Sequence, residues 1–171
     1  MAKKVVFCII LISFASYVNA QKPNSTYKLP KELVNFFEGR WLGEGEFWNG
    51  KKIYADITFS ITLDSSWLLY EHKDKAPNKY KSMSMWGVDV VSGVFVAYNF
   101  DNFQGHRKFL SDGWKENKLI LISSELCLQR RTVFEHFIYE KLTEKKFRMT
   151  YETSPDRKHW KLGDYLVFNK Q

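Results

Sequence analysis

Cysteine is scarce in this chain, which has only Cys8 and Cys127 among its 171 residues. Cys8 lies in an N-terminal segment that we predict to be removed, so Cys127 is the single cysteine of the mature chain. An internal disulfide is therefore excluded. Cys8 also lacks the small-residue context of a lipid-modified cysteine, and we do not predict a lipoprotein. The domain must be stabilised by the burial of apolar side chains.

Long apolar runs are also missing, since a transmembrane helix needs about 20 such residues. The apolar run at residues 5–15 is interrupted only by Ser13 and follows two lysines. Small residues then lead to Ala20, at positions that a signal peptidase reads. This pattern is typical of a secretory signal, so we predict that residues 1–20 are removed near Ala20–Gln21 and that the protein is secreted or periplasmic. A membrane anchor is the alternative.

The sequence has no nucleophile elbow, no phosphate-binding loop and no pair of ligands at zinc spacing. The four histidines fall in four separate segments, and we predict no metal site. His136 is the one weak candidate for a catalytic acid or base, and the alternative is a hydrogen-bonded structural histidine. If Phe134 and Ile138 face the interior, His136 does so too. Asp101, at a strand end, fits a role in a turn.

Basic residues do not form a cluster, although the formal net charge is +7. Removal of residues 1–20 takes away two lysines and leaves 151 residues with a charge of +5. The remaining lysines and arginines alternate with acids, so we predict no nucleic-acid partner. We divide the chain into the signal, a polar lead-in at residues 21–28 and a single domain at residues 29–171.

The most distinctive stretch that is present is residues 39–47, Gly-Arg-Trp-Leu-Gly-Glu-Gly-Glu-Phe. On a strand, Trp41, Gly43, Gly45 and Phe47 share one face. Glycine at alternate positions allows a strand to bend sharply or to lie close beneath another segment. These features suit the first strand of a small closed barrel, with Trp41 at its floor. A glycine-rich surface hairpin is the alternative.

A short helix is predicted just before this strand, at residues 30–38. Pro30 suits a first helical turn, and Leu33, Phe36 and Phe37 fall on one side of the helix. A helix of this length is unstable alone, so its apolar side must dock. We expect it to cap one end of the barrel.

The rest of the chain reads as short strands separated by turns. The clearest strand has Ala55, Ile57, Phe59, Ile61 and Leu63 alternating with polar residues, which predicts one buried face and one solvated face. About ten strands follow one another with hairpin-length connections. We therefore predict an all-β fold, an up-and-down antiparallel barrel of about ten strands.

Several motifs occur in an order that resembles the calycin superfamily of lipocalins, fatty-acid-binding proteins and nitrobindins. Gly39-Arg40-Trp41 follows a short helix and opens a meander; Gly-x-Trp-x-Gly-x-Gly is most similar to the nitrobindin-like branch and to a bacterial family classed as a domain of unknown function. Met85-Trp86-Gly87-Val88-Asp89 and the closing strand at residues 164–168 also fit. The resemblance covers residues 36–170. It implies a calycin-like barrel in which a basic residue near the chain's end, here Lys170, packs over Trp41 at the barrel floor.

The resemblance also implies an interior that holds one small ligand, so we expect an exported protein that binds or carries a small hydrophobic molecule. A barrel packed solid is one alternative, and an isomerase or cyclase acting on the ligand is another. The candidate pocket residues lie on predicted strands. They are Ala55, Ile57, Phe59, Ile61, Met85, Trp86, Tyr98, Phe134, His136, Met149 and Tyr151.

Haem is the cofactor that the nitrobindin resemblance suggests, with its iron held by a histidine on the closing strand. This chain has Tyr165, Leu166, Val167 and Phe168 there, and His159 lies in the preceding turn. We therefore do not expect haem, and a haem-binding, nitrobindin-like protein is kept as an alternative. No other cofactor is predicted.

Overall fold

The structure is a computed structural model that describes residues 28–123, 126–128 and 131–171. These residues contain one helix, α1 (Lys31–Phe37), and twelve strands. The strands are β1 (Gly39–Phe47), β2 (Lys52–Thr62), β3 (Trp67–Asp74), β4 (Lys81–Val88), β5 (Phe95–Asp101), β6 (His106–Ser111), β7 (Trp114–Lys115), β8 (Lys118–Ser123), β9 (Leu126–Leu128), β10 (Arg131–Thr143), β11 (Lys146–Ser154) and β12 (Lys161–Lys170). The predicted signal at residues 1–20 and most of the lead-in lie outside the described residues.

Ten of the described strands form a closed antiparallel barrel. Around the ring they follow the order β8, β6, β5, β4, β3, β2, β1, β12, β11, β10, and β10 pairs with β8 to close it. The ring order follows the chain order, and the two-residue β7 and three-residue β9 attach to β8 and β10. The predicted all-β, up-and-down barrel of about ten strands is confirmed.

Glycine on β1 allows the two ends of the sheet to meet closely. β1 pairs with β2 on one side and β12 on the other, with Trp41 opposite Lys170 and Gly45 opposite Leu166. A Cβ atom at Gly43 would collide with the ring of Phe168, and one at Gly45 would collide with the carbonyl of Tyr165. A larger residue at either position would force β12 away from β1.

Aromatic rings fill the barrel at the end where α1 lies. Phe37, on α1, is fully buried and contacts rings from five different strands at centroid distances of 4.9–5.9 Å. These rings are Phe59 of β2, Trp86 of β4, Trp114 of β7, Tyr139 of β10 and Phe147 of β11. Because a buried aromatic side chain removes 150–250 Å² from water, this cluster is a major source of stability.

The inward face predicted for the second strand is shorter than expected. Ala55, Ile57 and Phe59 are buried, whereas Ile61 and Leu63 are 38% and 63% exposed. β2 ends at Thr62, and Leu63 adopts a positive φ of 48° in the following turn. Leu63 therefore belongs to the turn, and Ile61 lies at the barrel rim. The prediction that Ile61 faces the pocket is wrong. The alternation of apolar and polar residues continues to Leu63, but other side chains cover the inner face of β2 only as far as Phe59.

Candidate ligand-binding cavity

A cavity of about 480 Å³ occupies the half of the barrel away from α1. Its mouth is formed by the β1–β2 turn and by the β3–β4 and β5–β6 loops, which contribute Lys51, residues 77–80 and Phe103. Lys51 and Phe103 are exposed, so the cavity opens to solvent at this end. Its volume lies in the range of about 300–1,000 Å³ that is typical of small-molecule sites.

The deep part of the cavity is apolar. Trp86 of β4 lies at the boundary, since it also packs against Phe37 in the solid end. The side chains that share this deep wall come from β6, β8, β10, β11 and β12. They are Phe109, Leu121, Phe137, Tyr139, Met149 and Leu166. A flat apolar group can be buried here at about 25 cal/mol per Å².

A polar chain of Tyr70, His72 and Asp74 lines one wall nearer the mouth. The three residues alternate on β3, so they share its inward face. Nδ1 of His72 lies 2.7 Å from the Tyr70 hydroxyl, and Nε2 lies 2.7 Å from Oδ1 of Asp74. Burial raises the pKa of Tyr70 well above its ordinary value, so its hydroxyl stays protonated and can donate to His72. Both imidazole nitrogens are thus engaged within the wall.

A second polar group lies around Arg107 of β6, three strands from β3 around the ring. The Arg107 guanidinium pairs with Asp101 through Nη2 and, at 2.8 Å, with Glu135 Oε1 through Nη1. The Tyr151 hydroxyl donates to the same Glu135 oxygen at 2.5 Å. Oδ1 of Asp101 also accepts from the backbone of Phe103 and Gly105. Asp101 therefore has the turn role that its position predicted and a second role inside the barrel.

Asp164 of β12 is a carboxyl group in the cavity wall for which the described residues provide no hydrogen bond. Burial, together with the nearby charge of Asp74, raises its pKa from an ordinary value near 3.8 to about 7. Both carboxyl groups line the cavity. Close to neutral pH, the Asp164 side chain therefore exchanges between a neutral and a charged form.

Unpartnered polar atoms gather in the same half of the barrel. Among the described residues, four buried side-chain atoms lack a hydrogen-bond partner, and three of them belong to Asn99, Arg107 and Glu135. Asn99 lines the cavity and is only 6% exposed, yet its Nδ2 donates to nothing. Because leaving a buried donor unpaired costs about 1–3 kcal/mol, Asn99 is placed as if for a polar occupant.

The residues predicted for the pocket divide into three groups. Trp86, Met149 and Tyr151 line the cavity. Ala55, Ile57 and Phe59 are buried inside the barrel but are not part of the cavity wall. The remaining five do not reach the cavity. They are Ile61, Met85, Tyr98, Phe134 and His136.

His136 lies on the outside of the barrel, which corrects the prediction that it faces inward. Glu135, Phe137 and Tyr139 are the inward residues of β10, so Phe134, His136 and Ile138 have the opposite orientation. The His136 ring stacks on Trp160 at 3.7 Å, and its Nε2 lies 2.5 Å from Glu152. Phe134 packs under the guanidinium of Arg157 at 4.3 Å.

Met85 and Tyr98 are also on the outer face. Met85 is adjacent to the inward Trp86, and neighbouring residues on a strand cannot both point inward. Tyr98 is adjacent to the inward Asn99, and its ring lies 6.1 Å from Trp67. Here the prediction chose side chains for their apolar character without fixing one orientation for each strand.

Trp41 and Lys170 meet at the opposite end from the cavity mouth. Trp41 is fully buried, and its Nε1 donates to the Phe37 carbonyl at 2.7 Å. Nζ of Lys170 lies 5.2 Å from the centre of the Trp41 ring and donates to the Phe36 carbonyl at 2.9 Å. Lys170 thus joins β12 to the last turn of α1, where a cation also suits the negative end of a helix.

Sequence reasoning missed most of the polar wall. His72, Asp74, Ser82, Asn99 and Arg107 all line the cavity, and none was predicted to do so. A signal was present. Once Trp86 is placed inward, the period of two puts Ser84 and Ser82 beside it on β4.

No group of three or more histidine, cysteine, aspartate or glutamate residues is arranged to hold a metal ion within the described parts of the chain. On β12 the cavity-lining side chains are Asp164 and Leu166, while Tyr165 stacks with Arg148 and His159 is exposed in the loop before β12. None of the helices in the described segments has the length and apolar character needed to cross a membrane.

The chain was compared with known proteins at the level of families and of individual sequences. No protein-family model matches it, and no curated protein matches it either.

Proposed function

We propose that the protein binds or carries a small molecule that is mainly hydrophobic and also has polar groups, inside the barrel. The observation that carries the proposal is the cavity of about 480 Å³, open at one end and closed at the other by packed aromatic rings. The deep wall suits the apolar part of such a ligand. The polar wall of Tyr70, His72 and Asn99 suits the other end.

The polar side chains of the cavity wall favour a different ligand from the purely hydrophobic molecule that the sequence predicted. Strand β2 contributes only Ile53 to the cavity wall, and residues of β3, β4, β5 and β12 bring hydroxyl, imidazole, amide and carboxyl groups to it. A purely apolar ligand would leave these groups without water or partners, at a cost for each. The proposed ligand is therefore amphipathic.

We also propose that the barrel is calycin-like and that the protein is exported after removal of residues 1–20. The short helix before Gly39-Arg40-Trp41 and the packing of Lys170 over Trp41 support the first proposal. The apolar run at residues 5–15 supports the second. N-terminal sequencing of exported protein should begin at Gln21, and a sequence beginning at Met1 or Ala2 would contradict it.

The binding proposal is tested by titration with N-phenyl-1-naphthylamine, an uncharged dye that fluoresces in apolar sites. We expect saturable binding to the wild-type protein. Ser82→Phe places a ring in the cavity and should weaken binding at least tenfold, since Ser82 lines the wall. Met83→Phe is the matched control, because Met83 is adjacent on β4 but 48% exposed on the outer face.

Both variants should melt close to the wild-type temperature, which would show that the fold is retained. The proposal fails if the wild-type protein does not bind the dye. It also fails if Ser82→Phe and Met83→Phe bind the dye equally well.

A further inference from the structure

The charges around the cavity are unbalanced towards the negative. Asp74 and Asp164 line it directly, and Asp101 and Glu135 stand behind it in contact with Arg107. Among the described residues that line the wall, Arg107 carries the one guanidinium, so it offsets only one of its two carboxylate partners. Lys51 and Lys79 are also among the lining residues, but they lie at the mouth and are exposed to solvent, which screens them.

Asp164 is the carboxyl group of this set that has the least compensation. Asp101 and Glu135 are paired with Arg107, and Asp74 is hydrogen-bonded to His72. Asp164 accepts no hydrogen bond from the described residues, and it lines the same cavity as Asp74, so the two like charges repel across an apolar interior. A partly buried carboxylate in this situation is stabilised by a cation that enters between the two acids.

A second observation points to the same cavity as a site for a polar molecule. Asn99, on β5, is more than nine-tenths buried, and its Nδ2 has no acceptor among the described residues. β5 and β12 are separated by four intervening strands in the ring, so Asn99 and Asp164 lie on well-separated parts of the wall. An occupant that satisfies both must carry a donor or cation at one end and an acceptor oxygen at the other.

Resting on the proposed function, we propose that the ligand is an aromatic amine: a flat apolar body with a protonated amine between Asp74 and Asp164 and an oxygen acceptor facing Asn99. The apolar body packs on the deep wall beside Trp86 and Phe109. The amine donates to both carboxylates and removes their mutual repulsion. These charge-assisted hydrogen bonds are stronger than neutral ones, because one partner is ionised and water is largely excluded.

Isothermal titration calorimetry with isosteric probes tests this inference. 5-Hydroxytryptamine and 5-hydroxytryptophol have the same ring system and differ by an ammonium against a hydroxyl group. At pH 8 we expect the amine to bind the wild-type protein at least tenfold more tightly than the alcohol. Tryptamine lacks the ring hydroxyl and should bind more weakly than 5-hydroxytryptamine, since nothing then accepts from Asn99.

Asp164→Asn keeps the shape of the side chain and removes its charge. In this variant the preference for the amine over the alcohol, measured as the ratio of the two dissociation constants, should fall at least fivefold. Asp74→Asn should reduce the preference in the same direction and gives a second, independent reading if Asp164→Asn does not fold.

Each outcome decides a separate question. If the alcohol binds as tightly as the amine, the amine inference is overturned and the proposed binding function stands. The same holds if N-phenyl-1-naphthylamine binds and neither indole probe does, or if both aspartate variants keep the full preference. If N-phenyl-1-naphthylamine does not bind either, the proposed function fails as well.

Discussion

The two halves of the barrel interior contain different kinds of side chain. The half beneath α1 is filled by Phe37, Trp41, Phe59 and Phe147, all of them almost fully buried. The other half contains a cavity, a salt-bridged arginine and several carboxyl groups. Folding stability should therefore depend mainly on the first half. The second half contains buried charges, whose desolvation works against stability, and such groups are typical of a functional site.

The largest expected effect is in the solid half. Trp41→Ala removes a fully buried side chain that hydrogen-bonds to α1 and leaves a void among rings that cannot collapse fully. We expect a loss of about 3–5 kcal/mol in the free energy of unfolding, measured by urea denaturation. A variant that melts within one or two degrees of wild type would show that this end does not organise the barrel.

Arg107→Met tests whether the ion pairs of the other half are structural. It leaves Asp101 and Glu135 facing one another in a partly enclosed wall, because the Arg107 side chain is only 18% exposed. Breaking a buried ion pair from one side is costly, so we expect a loss of about 3 kcal/mol by urea denaturation. Arg148→Met, on the outer face over Tyr165, is the matched control and should lose about 1 kcal/mol or less. Equal losses would remove the contrast between inside and outside.

Asp164→Asn should stabilise the protein, in contrast to the two changes above. A carboxyl group whose pKa is raised to about 7 on folding binds its proton more tightly in the folded state. The destabilisation that an ionised Asp164 causes is therefore absent below about pH 4. It grows as the pH rises towards 7 and is complete above that. At 1.36 kcal/mol per pKa unit the ceiling is about 4 kcal/mol, and we expect about 2 kcal/mol for a partly exposed group.

The measurement is the difference in unfolding free energy between Asp164→Asn and wild type at pH 4, 6 and 8. The difference should increase with pH from near zero. A difference that is flat or decreases would show that Asp164 is not a strained carboxyl group, and the cavity would lose its main electrostatic feature.

The smallest effect is expected for Lys170→Met. Methionine keeps an apolar stem over Trp41 and loses the hydrogen bond to the Phe36 carbonyl. Partial burial of the Lys170 ammonium lowers its pKa, because the charge loses part of its hydration. We expect a loss of about 1 kcal/mol in the free energy of unfolding. A loss as large as that of Trp41→Ala would mean that this end depends on the cation rather than on ring packing.

The strands of the ring could be predicted from the sequence because turns and alternation mark them. About ten strands were predicted and ten form the ring, with ends that differ by a few residues. For example, the closing strand was predicted at residues 164–168, whereas β12 spans Lys161–Lys170. The helix was predicted at residues 30–38 and spans Lys31–Phe37. The two short strands β7 and β9 were missed, since two or three residues carry no detectable period.

It was harder to predict which face of each strand points inward. Errors in this choice are the reason that most cavity-lining residues were not predicted. Alternation shows which residues share a face, but it does not show which face is inside. We assigned the inside by hydrophobicity, which works for Ile57 and fails for β4, where Ser82 and Ser84 point inward and Met85 outward. In a polar cavity wall, polar side chains face the interior and apolar ones face outward. The rule that apolar residues face inward therefore identified the solid half correctly and gave the wrong orientation in the half with the cavity.

The pairing of β1 with β12 also bears on how the chain can fold. Lys170 contacts the Phe36 carbonyl across 134 positions of sequence, and the ring closes only when these distant segments meet. Such nonlocal closure slows folding. The chain loses the conformational entropy of a long loop before the stabilising contacts between the distant segments have formed. Until β12 docks, the edges of β1 and β11 remain unpaired and could join other chains. Slow docking of β12 would therefore lengthen the time for which these two edges are exposed.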